Sequence, residues 1–242
     1  MRGHWQFRDA MLCLHHHHPL VPLWHQAKVM ARSDCSRRLG EIATKLEEGG
    51  FERPLLPATP FDLWLDNRLE TKEDMSWLGD QAVNAVTTFS RLLGGQLLGF
   101  TTKDINDSDA NRHAALSAGF TVVSQGTDAI RVVLNDLANQ NPGSQHEPRQ
   151  AFGGLYVCLA QERVADPAFA LFRGLLRDCI LSVWPVAKGE ILLGEVVPER
   201  LLHSLRTAST ETGKQAETIE RLLIEAGVLA ADDPRPDESK DL

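Results

Sequence analysis

Apolar residues recur at intervals of three and four along most of the chain beyond residue 30, and this spacing constrains the fold more than any other feature. It places apolar side chains on one face of a helix, which must then pack against another helix. The first helix is predicted to begin after an N-cap at Ser33 or Asp34 and to run to Glu48, where a glycine pair ends it. The pattern therefore predicts a mainly α fold.

Further helices are predicted from the same spacing. Their apolar stripes are Phe61, Trp64, Leu65 and Leu69; Ala82, Val86, Phe89, Leu93 and Leu97; Ile130, Val133, Leu134 and Leu137; and Phe169, Phe172, Leu175, Leu176, Ile180 and Trp184. Another helix is expected to open at Asp107 or Ser108 and to close at Gly119. The glycine pairs at 49–50, 94–95 and 153–154 are interpreted as helix ends or starts. A short strand or an extended connection is predicted over 189–194.

A polar, proline-containing segment over 139–150 is the best linker candidate. It separates a predicted helical domain over 31–140 from a second over 151–230, and the acidic segment over 231–242 is predicted to be a disordered tail. No stretch approaches the roughly 18 consecutive apolar residues of a membrane-spanning helix. The four cysteines, Cys13, Cys35, Cys158 and Cys179, follow no disulfide spacing, which favours reduced thiols and a cytoplasmic location.

A helix-turn-helix is predicted over 203–229 at the end of the second domain. Ser204 can cap its first helix, Gly213 can supply the turn, and the second helix runs from about Ala216 to Gly227. The residues expected to meet between the helices are Leu205, Ala208, Ile219, Leu222, Leu223 and Ala226.

The second helix of this motif carries a mixed charge pattern. If it enters the major groove of DNA, its outward face offers Lys214, Gln215 and Arg221 to phosphates and bases. The same helix carries Glu217, Glu220 and Glu225, which oppose approach to a phosphate backbone. A structural hairpin or protein-docking module therefore stays open beside a DNA-binding role.

The charges of the chain are unevenly distributed. Residues 1–40 hold six Lys and Arg against two Asp, a net charge of +4, whereas residues 41–242 carry −12. This division predicts that contacts with nucleic acid are concentrated at the N-terminus, and an uneven surface without such a role is the alternative. The arginines expected to contact phosphate are Arg2, Arg8, Arg32, Arg37 and Arg38.

A possible metal site lies in the segment CLHHHHP. Cys13 and His16 stand in a C-x-x-H spacing, which allows a thiolate and an imidazole to bind one tetrahedral zinc ion. Structural zinc takes four ligands, and the chain has no second pair of this kind. The site is therefore a half-site, which His4, His25 or Cys35 would have to complete. A histidine run with weak affinity for transition metals is the alternative.

Catalytic motifs are missing from the sequence. It contains no G-x-x-x-x-G-K-[ST] phosphate loop, no G-x-S-x-G nucleophile elbow and no H-E-x-x-H metal helix. We therefore expect a protein that is not an enzyme.

Two stretches resemble the TniQ family of transposition proteins. The segment HWQFRDAMLCLHHHHPLVPLW is similar to the second half of the family's zinc-finger module, so that residues 1–30 form a partial zinc-finger-like segment. The stretch from Gly153 to Leu229 is similar to the helical and helix-turn-helix portion that follows the finger in many bacterial members. Carried over to this chain, Cys13 and His16 would be the second pair of zinc ligands.

The resemblance implies a non-catalytic accessory factor in DNA transposition. Such a factor takes part in target-site selection, contacts DNA and recruits the ATPase regulator of the transposon or other transposition proteins. The first zinc-ligand pair of the family has no counterpart here, from which we expect either a misassigned start or a truncated chain. A helical protein-interaction module without nucleic-acid binding is the alternative function.

Overall fold

The computed structural model describes residues 7–21, 23, 35–140, 148–184, 186, 189–197 and 215–225. Most of these residues are helical, which confirms the predicted mainly α fold. Contacts divide the chain between Gly126 and Thr127 into two units. None of the helices in the described ranges has the length and apolar composition that a membrane crossing requires.

The first unit contains two short strands and five α-helices among its described residues. They are β1 (Leu12–Cys13), β2 (His18–Pro19), α1 (Cys35–Glu47), α2 (Pro60–Thr71), α3 (Val83–Leu97), α4 (Thr102–Asp107) and α5 (Asp109–Val123), with a 3-10 turn at Trp77–Asp80 before α3. Their ends follow from local side-chain chemistry. Thr59 and Asp62 form a capping box at the start of α2, and Thr101 and Asp104 form another at α4.

The second unit has a helical group and a hairpin. Its described elements are α6 (Thr127–Gln140), α7 (Pro148–Val157), a π-helical turn (Cys158–Glu162), a 3-10 turn (Pro167–Phe169), α8 (Ala170–Val183), β3 (Ile191–Leu192), β4 (Glu195–Val196) and α9 (Ala216–Glu225). Helix α6 packs against α7 and α8 and therefore belongs to this unit, although it precedes most of the predicted linker over 139–150. Residues 141–147 of that linker lie outside the described residues.

The closest helix packing in the first unit is the crossing of α3 and α5. A Cβ added to Gly94 would overlap with the carbonyl oxygen of Ala115 and lie 2.6 Å from the backbone nitrogen of Gly119. A Cβ added to Gly119 would overlap with the carbonyl oxygen of Ser90. The missing side chains therefore let the two backbones touch.

The predicted roles of these glycines were wrong. Gly94 and Gly95 lie inside α3, where they were expected at a helix end, and α5 continues through Gly119 to Val123. Glycine costs a helix about 1 kcal/mol relative to alanine, which is why it predicts helix ends. Here close packing of the two backbones offsets that cost, and no local pattern carries this information.

An aromatic cluster fills the core beside this crossing. Phe61 is fully buried, and its ring centroid lies 5.6 Å from that of Phe120. The ring of Trp64 lies 5.1 Å from Phe120, and its indole nitrogen donates a hydrogen bond to Asp74 Oδ2 at 2.7 Å. The prediction that the Phe61 and Trp64 face of α2 belongs to the core is confirmed.

The core of the second unit forms around α8. Phe152, Phe172 and Leu176 are fully buried, and the ring of Phe152 meets that of Trp184 edge to face. Gly153 breaks α7 with φ 45° and ψ −122°, at the point where the sequence predicts a helix start. Asp166 caps the following 3-10 turn by accepting a hydrogen bond from the backbone nitrogen of Ala168.

The strand predicted over 189–194 is part of a hairpin. Ile191 pairs with Val196 and Leu192 with Glu195. Leu193 and Gly194 both have positive φ, as a two-residue type I′ turn requires. The guanidinium of Arg177 on α8 binds the Glu195 carboxylate at 3.1 Å and so ties the hairpin to that helix.

Several predictions concern segments outside the described residues. The first helix of the predicted helix-turn-helix, its turn at Gly213 and the tail over 231–242 are among them. Of this motif the structure describes residues 215–225, of which Ala216–Glu225 form α9. The helix-turn-helix arrangement and the domain boundaries therefore stay predictions.

A buried carboxylate connects α2 to α5. Asp62 Oδ2 lies 2.9 Å from His113 Nε2 and accepts hydrogen bonds from the hydroxyl and the backbone nitrogen of Thr59. Burial by itself would raise the pKa of Asp62, but these bonds to the ionised form outweigh it. The pKa of Asp62 is therefore lowered from its ordinary value of 3.8.

We expect Gly94→Ala to destabilise the first unit by about 1–3 kcal/mol, because the new methyl group forces the α3 and α5 backbones apart. The matched control is Gly40→Ala on α1, where an added Cβ meets nothing within 4 Å. It should leave stability unchanged or raise it by up to about 1 kcal/mol. Urea unfolding followed by circular dichroism measures both, and equal midpoints for the two variants would contradict the close crossing.

We expect Asp62→Asn to lower the free energy of unfolding by about 1–3 kcal/mol at pH 7, because it removes hydrogen bonds to a charged group. A lowered folded-state pKa stabilises the fold above about pH 3.8, and that contribution disappears as pH falls through the folded value. The difference between wild type and variant should therefore shrink in acid. Asp136→Asn on the exposed face of α6 is the control, and a pH-independent difference for Asp62→Asn would disprove the linkage.

Candidate metal-binding hairpin and nucleic-acid interface

The C-x-x-H segment forms the turn of a short antiparallel hairpin. Strand β1 pairs with β2 through Leu12 with Pro19 and Cys13 with His18. The backbone nitrogen of His17 donates to the carbonyl oxygen of Cys13 at 2.7 Å, and His17 takes a positive φ of 56°. The turn therefore folds back on Cys13, so that His16, the last residue of the C-x-x-H motif, lies beside it.

The two predicted ligands lie at a distance suited to one metal ion. Cys13 Sγ lies 3.5 Å from His16 Nδ1. A sulfur at about 2.3 Å and a nitrogen at about 2.0–2.1 Å from a tetrahedral zinc are about 3.5 Å apart. The Cys13 side chain is buried and that of His16 is exposed, so that the pair opens toward the surface. This pair fits zinc.

The other ligands of such a site are not assigned by the structure. Within the described ranges, no group of three or more His, Cys, Asp and Glu side chains lies close enough to hold a metal ion. His4, His25 and the side chain of Cys35, which the sequence offers to complete the site, fall outside the description. The geometry therefore corresponds to two ligands of a site.

The hairpin is anchored on two sides, to the connection that precedes α2 and to helix α5. Its turn is held by His17, whose carbonyl oxygen accepts a hydrogen bond from the backbone nitrogen of Leu56 at 2.9 Å. Before β1, Asp9 Oδ1 binds a guanidinium nitrogen of Arg112 on α5 at 3.2 Å. Between these anchors Leu12 and Cys13 are buried. The turn therefore rests on a packed base.

The described cations of the predicted DNA contact differ in exposure. Arg8 is exposed in the segment that leads to the hairpin. Arg37 and Arg38 lie together on α1 and both bind the carboxylate of Glu41, and the Arg38 side chain is only 11% exposed. This pair therefore presents less positive charge than the sequence suggests. Arg2, Arg32 and Lys214 lie outside the described residues.

Helix α9 exposes both polar and apolar side chains. Arg221 and Gln215, which directly precedes the helix, are exposed, and both were predicted to face DNA. Ile219 is buried as predicted, whereas Leu222, expected between the two helices, is 41% exposed. Three residues turn a helix by about 300°, so Leu222 lies about 60° from Ile219, at the margin of the buried stripe.

The long-range contacts that join the hairpin and the helices of this unit were missed by the sequence patterns. Asp9 and Arg112 are 103 residues apart, and Asp62 and His113 are 51 apart. No local spacing brings such pairs together. The T-x-x-D pattern at Thr59 and Asp62 was a usable signal, since it marks a capping box and so places the carboxylate at the start of a helix.

The buried thiols of the second unit are poor candidates for chemistry. Cys158 and Cys179 are both buried, and burial raises the pKa of the Cys179 thiol to about 12. At neutral pH this thiol stays protonated, whereas the thiolate is the form that attacks substrates and binds metals. Cys179 is therefore a core residue of the second unit.

Comparisons of the chain with protein-family models, with curated proteins and with solved structures found no match.

We expect the Cys13 and His16 pair to bind Co²⁺ with a thiolate charge-transfer absorption band that Cys13→Ser abolishes. His16→Asn should weaken zinc binding by about tenfold or more, because the imidazole is one of two described ligands. His17→Asn is the matched control, since this exposed neighbour occupies the same turn. Titration in the presence of a chromophoric chelator measures the affinities, and an unchanged cobalt band in Cys13→Ser would contradict this assignment.

Proposed function

We propose that the protein is a non-catalytic accessory factor in DNA transposition, of the TniQ type, which binds DNA and recruits other transposition proteins. The observation that carries the proposal is the hairpin in which Cys13 Sγ and His16 Nδ1 lie 3.5 Å apart. A C-x-x-H pair on a turn that follows a tryptophan-containing segment is the feature this chain shares with the zinc-finger module of the family. The proposed site of action is the cytoplasm.

The hairpin would serve as a rigid platform for a nucleic-acid contact. Zinc bound there would cross-link the two ends of the turn without taking part in chemistry. Arg8 precedes the hairpin and is exposed, so that its guanidinium is free to approach a phosphate. The net charge of +4 over residues 1–40 favours this part of the chain for the DNA contact.

The rest of the chain is better suited to protein partners. Residues 41–242 carry a net charge of −12, which repels a phosphate backbone at a distance. A basic surface on the ATPase regulator or on another transposition protein would be complementary to it. DNA contact by the first forty residues and partner contact by the remainder are therefore compatible on one chain.

One observation favours the alternative function, a helical protein-interaction module without nucleic-acid contact. On α9, Leu222 and Ile224 are 41% and 36% exposed. Three glutamates, Glu217, Glu220 and Glu225, lie on the same helix. Exposed apolar side chains on an acidic helix suit a basic partner that carries an apolar anchor.

We expect the affinity of the full chain for duplex DNA to fall steeply with salt. Each phosphate contact that a Lys or Arg neutralises contributes about −0.9 to the slope of log affinity against log salt. Arg8→Gln should reduce the slope by about one unit across sequences. Arg131→Gln on the exposed face of α6 is the control and should leave the slope unchanged. Gel shift or fluorescence anisotropy between 50 and about 200 mM salt provides the measurement.

Absent or salt-insensitive DNA binding would contradict the accessory-factor proposal. The alternative then gains support if a basic partner protein binds the wild-type chain and loses affinity when Glu217 and Glu220 are replaced by glutamine. If Arg8→Gln still binds DNA with an unchanged salt slope, the DNA contact lies elsewhere than at the hairpin.

A further inference from the structure

Arg112 is the most deeply buried charged residue among those that contact the hairpin segment. It lies in the first half of α5 and is only 3% exposed. One guanidinium nitrogen binds Asp9 Oδ1 at 3.2 Å, and the other donates to Asn106 Oδ1 at 3.1 Å. The charge is thus compensated by one carboxylate from the hairpin segment and one amide from the end of α4.

Because of the position of Asp9, this ion pair holds the segment that leads into the hairpin. Asp9 is three residues before Leu12, where β1 begins, and only 13% of its side chain is exposed. Leu12 borders the same crevice as Leu65 and Leu69 of α2. The segment from Asp9 to β1 is therefore held against α5 at one end and along α2 at the other.

The two ligands of the metal pair lie between this anchor and a second one. The carbonyl of His17 accepts a hydrogen bond from the backbone nitrogen of Leu56. Cys13 is fixed from the Asp9 side and His16 from the His17 side. Loss of the Asp9 anchor loosens the segment that leads into Cys13, whereas a metal ion requires both donor atoms at a fixed separation.

We infer that Arg112 and Asp9 are positioning residues for the hairpin metal site, and that metal binding and the stability of the first unit are thermodynamically linked through them. An ion that binds only the folded hairpin stabilises the hairpin. It also stabilises the elements that must be folded for the hairpin to form. Helix α5 is one of these elements, because the buried charge of Arg112 on α5 requires Asp9 as its partner. The inference rests on the metal site of the proposed function.

The test uses Zn²⁺ alone with the full chain and the variant Asp9→Asn. In the wild type, saturating zinc should raise the Tm. In Asp9→Asn the zinc affinity should fall about tenfold or more, and the zinc-dependent rise in Tm should shrink. Asp9→Glu, which keeps the carboxylate, should recover most of both. Asp128→Asn breaks an exposed pair with Arg131 on α6 and should change neither.

Affinity is measured by chelator competition at a temperature at which far-UV circular dichroism shows wild-type helix content. A merely structural role of the ion pair would not change zinc affinity under that condition. Should Asp9→Asn lose helix content at every temperature, Arg112→Lys replaces it, because this variant keeps a buried cation beside Asp9 but loses the two-nitrogen geometry of the guanidinium. It should show a smaller loss of zinc affinity in the same direction.

Two negative results are distinguishable. If the wild type binds zinc through Cys13, and Asp9→Asn or its replacement binds it as tightly with the same rise in Tm, the linkage is overturned while the metal site stands. If Cys13→Ser binds zinc as tightly as the wild type, the metal site of the proposed function is overturned, and the linkage with it.

Discussion

The first unit depends on the close contact of α3 and α5 at Gly94 and Gly119. Where these helices cross, a single added methyl group on either glycine would overlap with a backbone carbonyl of the other helix. Such contact fixes both the separation of the helices and their relative rotation. The remaining side chains of α5 are thereby held in defined directions, which the rest of the unit uses.

Two of these side chains make polar contacts with residues far away along the chain. His113 meets the buried carboxylate of Asp62 on α2, and Arg112 meets Asp9 before β1. Buried charges cost free energy unless they are paired, so these contacts select one arrangement of the helices and the hairpin. The 3.5 Å approach of Cys13 and His16 forms locally in the turn, and α5 holds the segment that leads into it.

The proposed function depends on how charge and exposed apolar surface are distributed along the chain. The positive charge of the first forty residues is partly neutralised within α1, where Glu41 binds both Arg37 and Arg38. Arg8 is exposed and has no such carboxylate partner among the described residues of α1. The acidic remainder and the exposed leucine and isoleucine of α9 suit a protein partner better than a nucleic acid.

The sequence by itself determined most helices, their buried stripes and the pairing of Cys13 with His16, because these depend on neighbours within about four residues. The buried stripe of Phe61 and Leu65 is an example. The tertiary structure alone decided that Gly94 and Gly119 lie inside helices, because their cost is offset by a helix distant in sequence. It alone decided that Arg112 binds Asp9, since a contact across 103 residues leaves no local period.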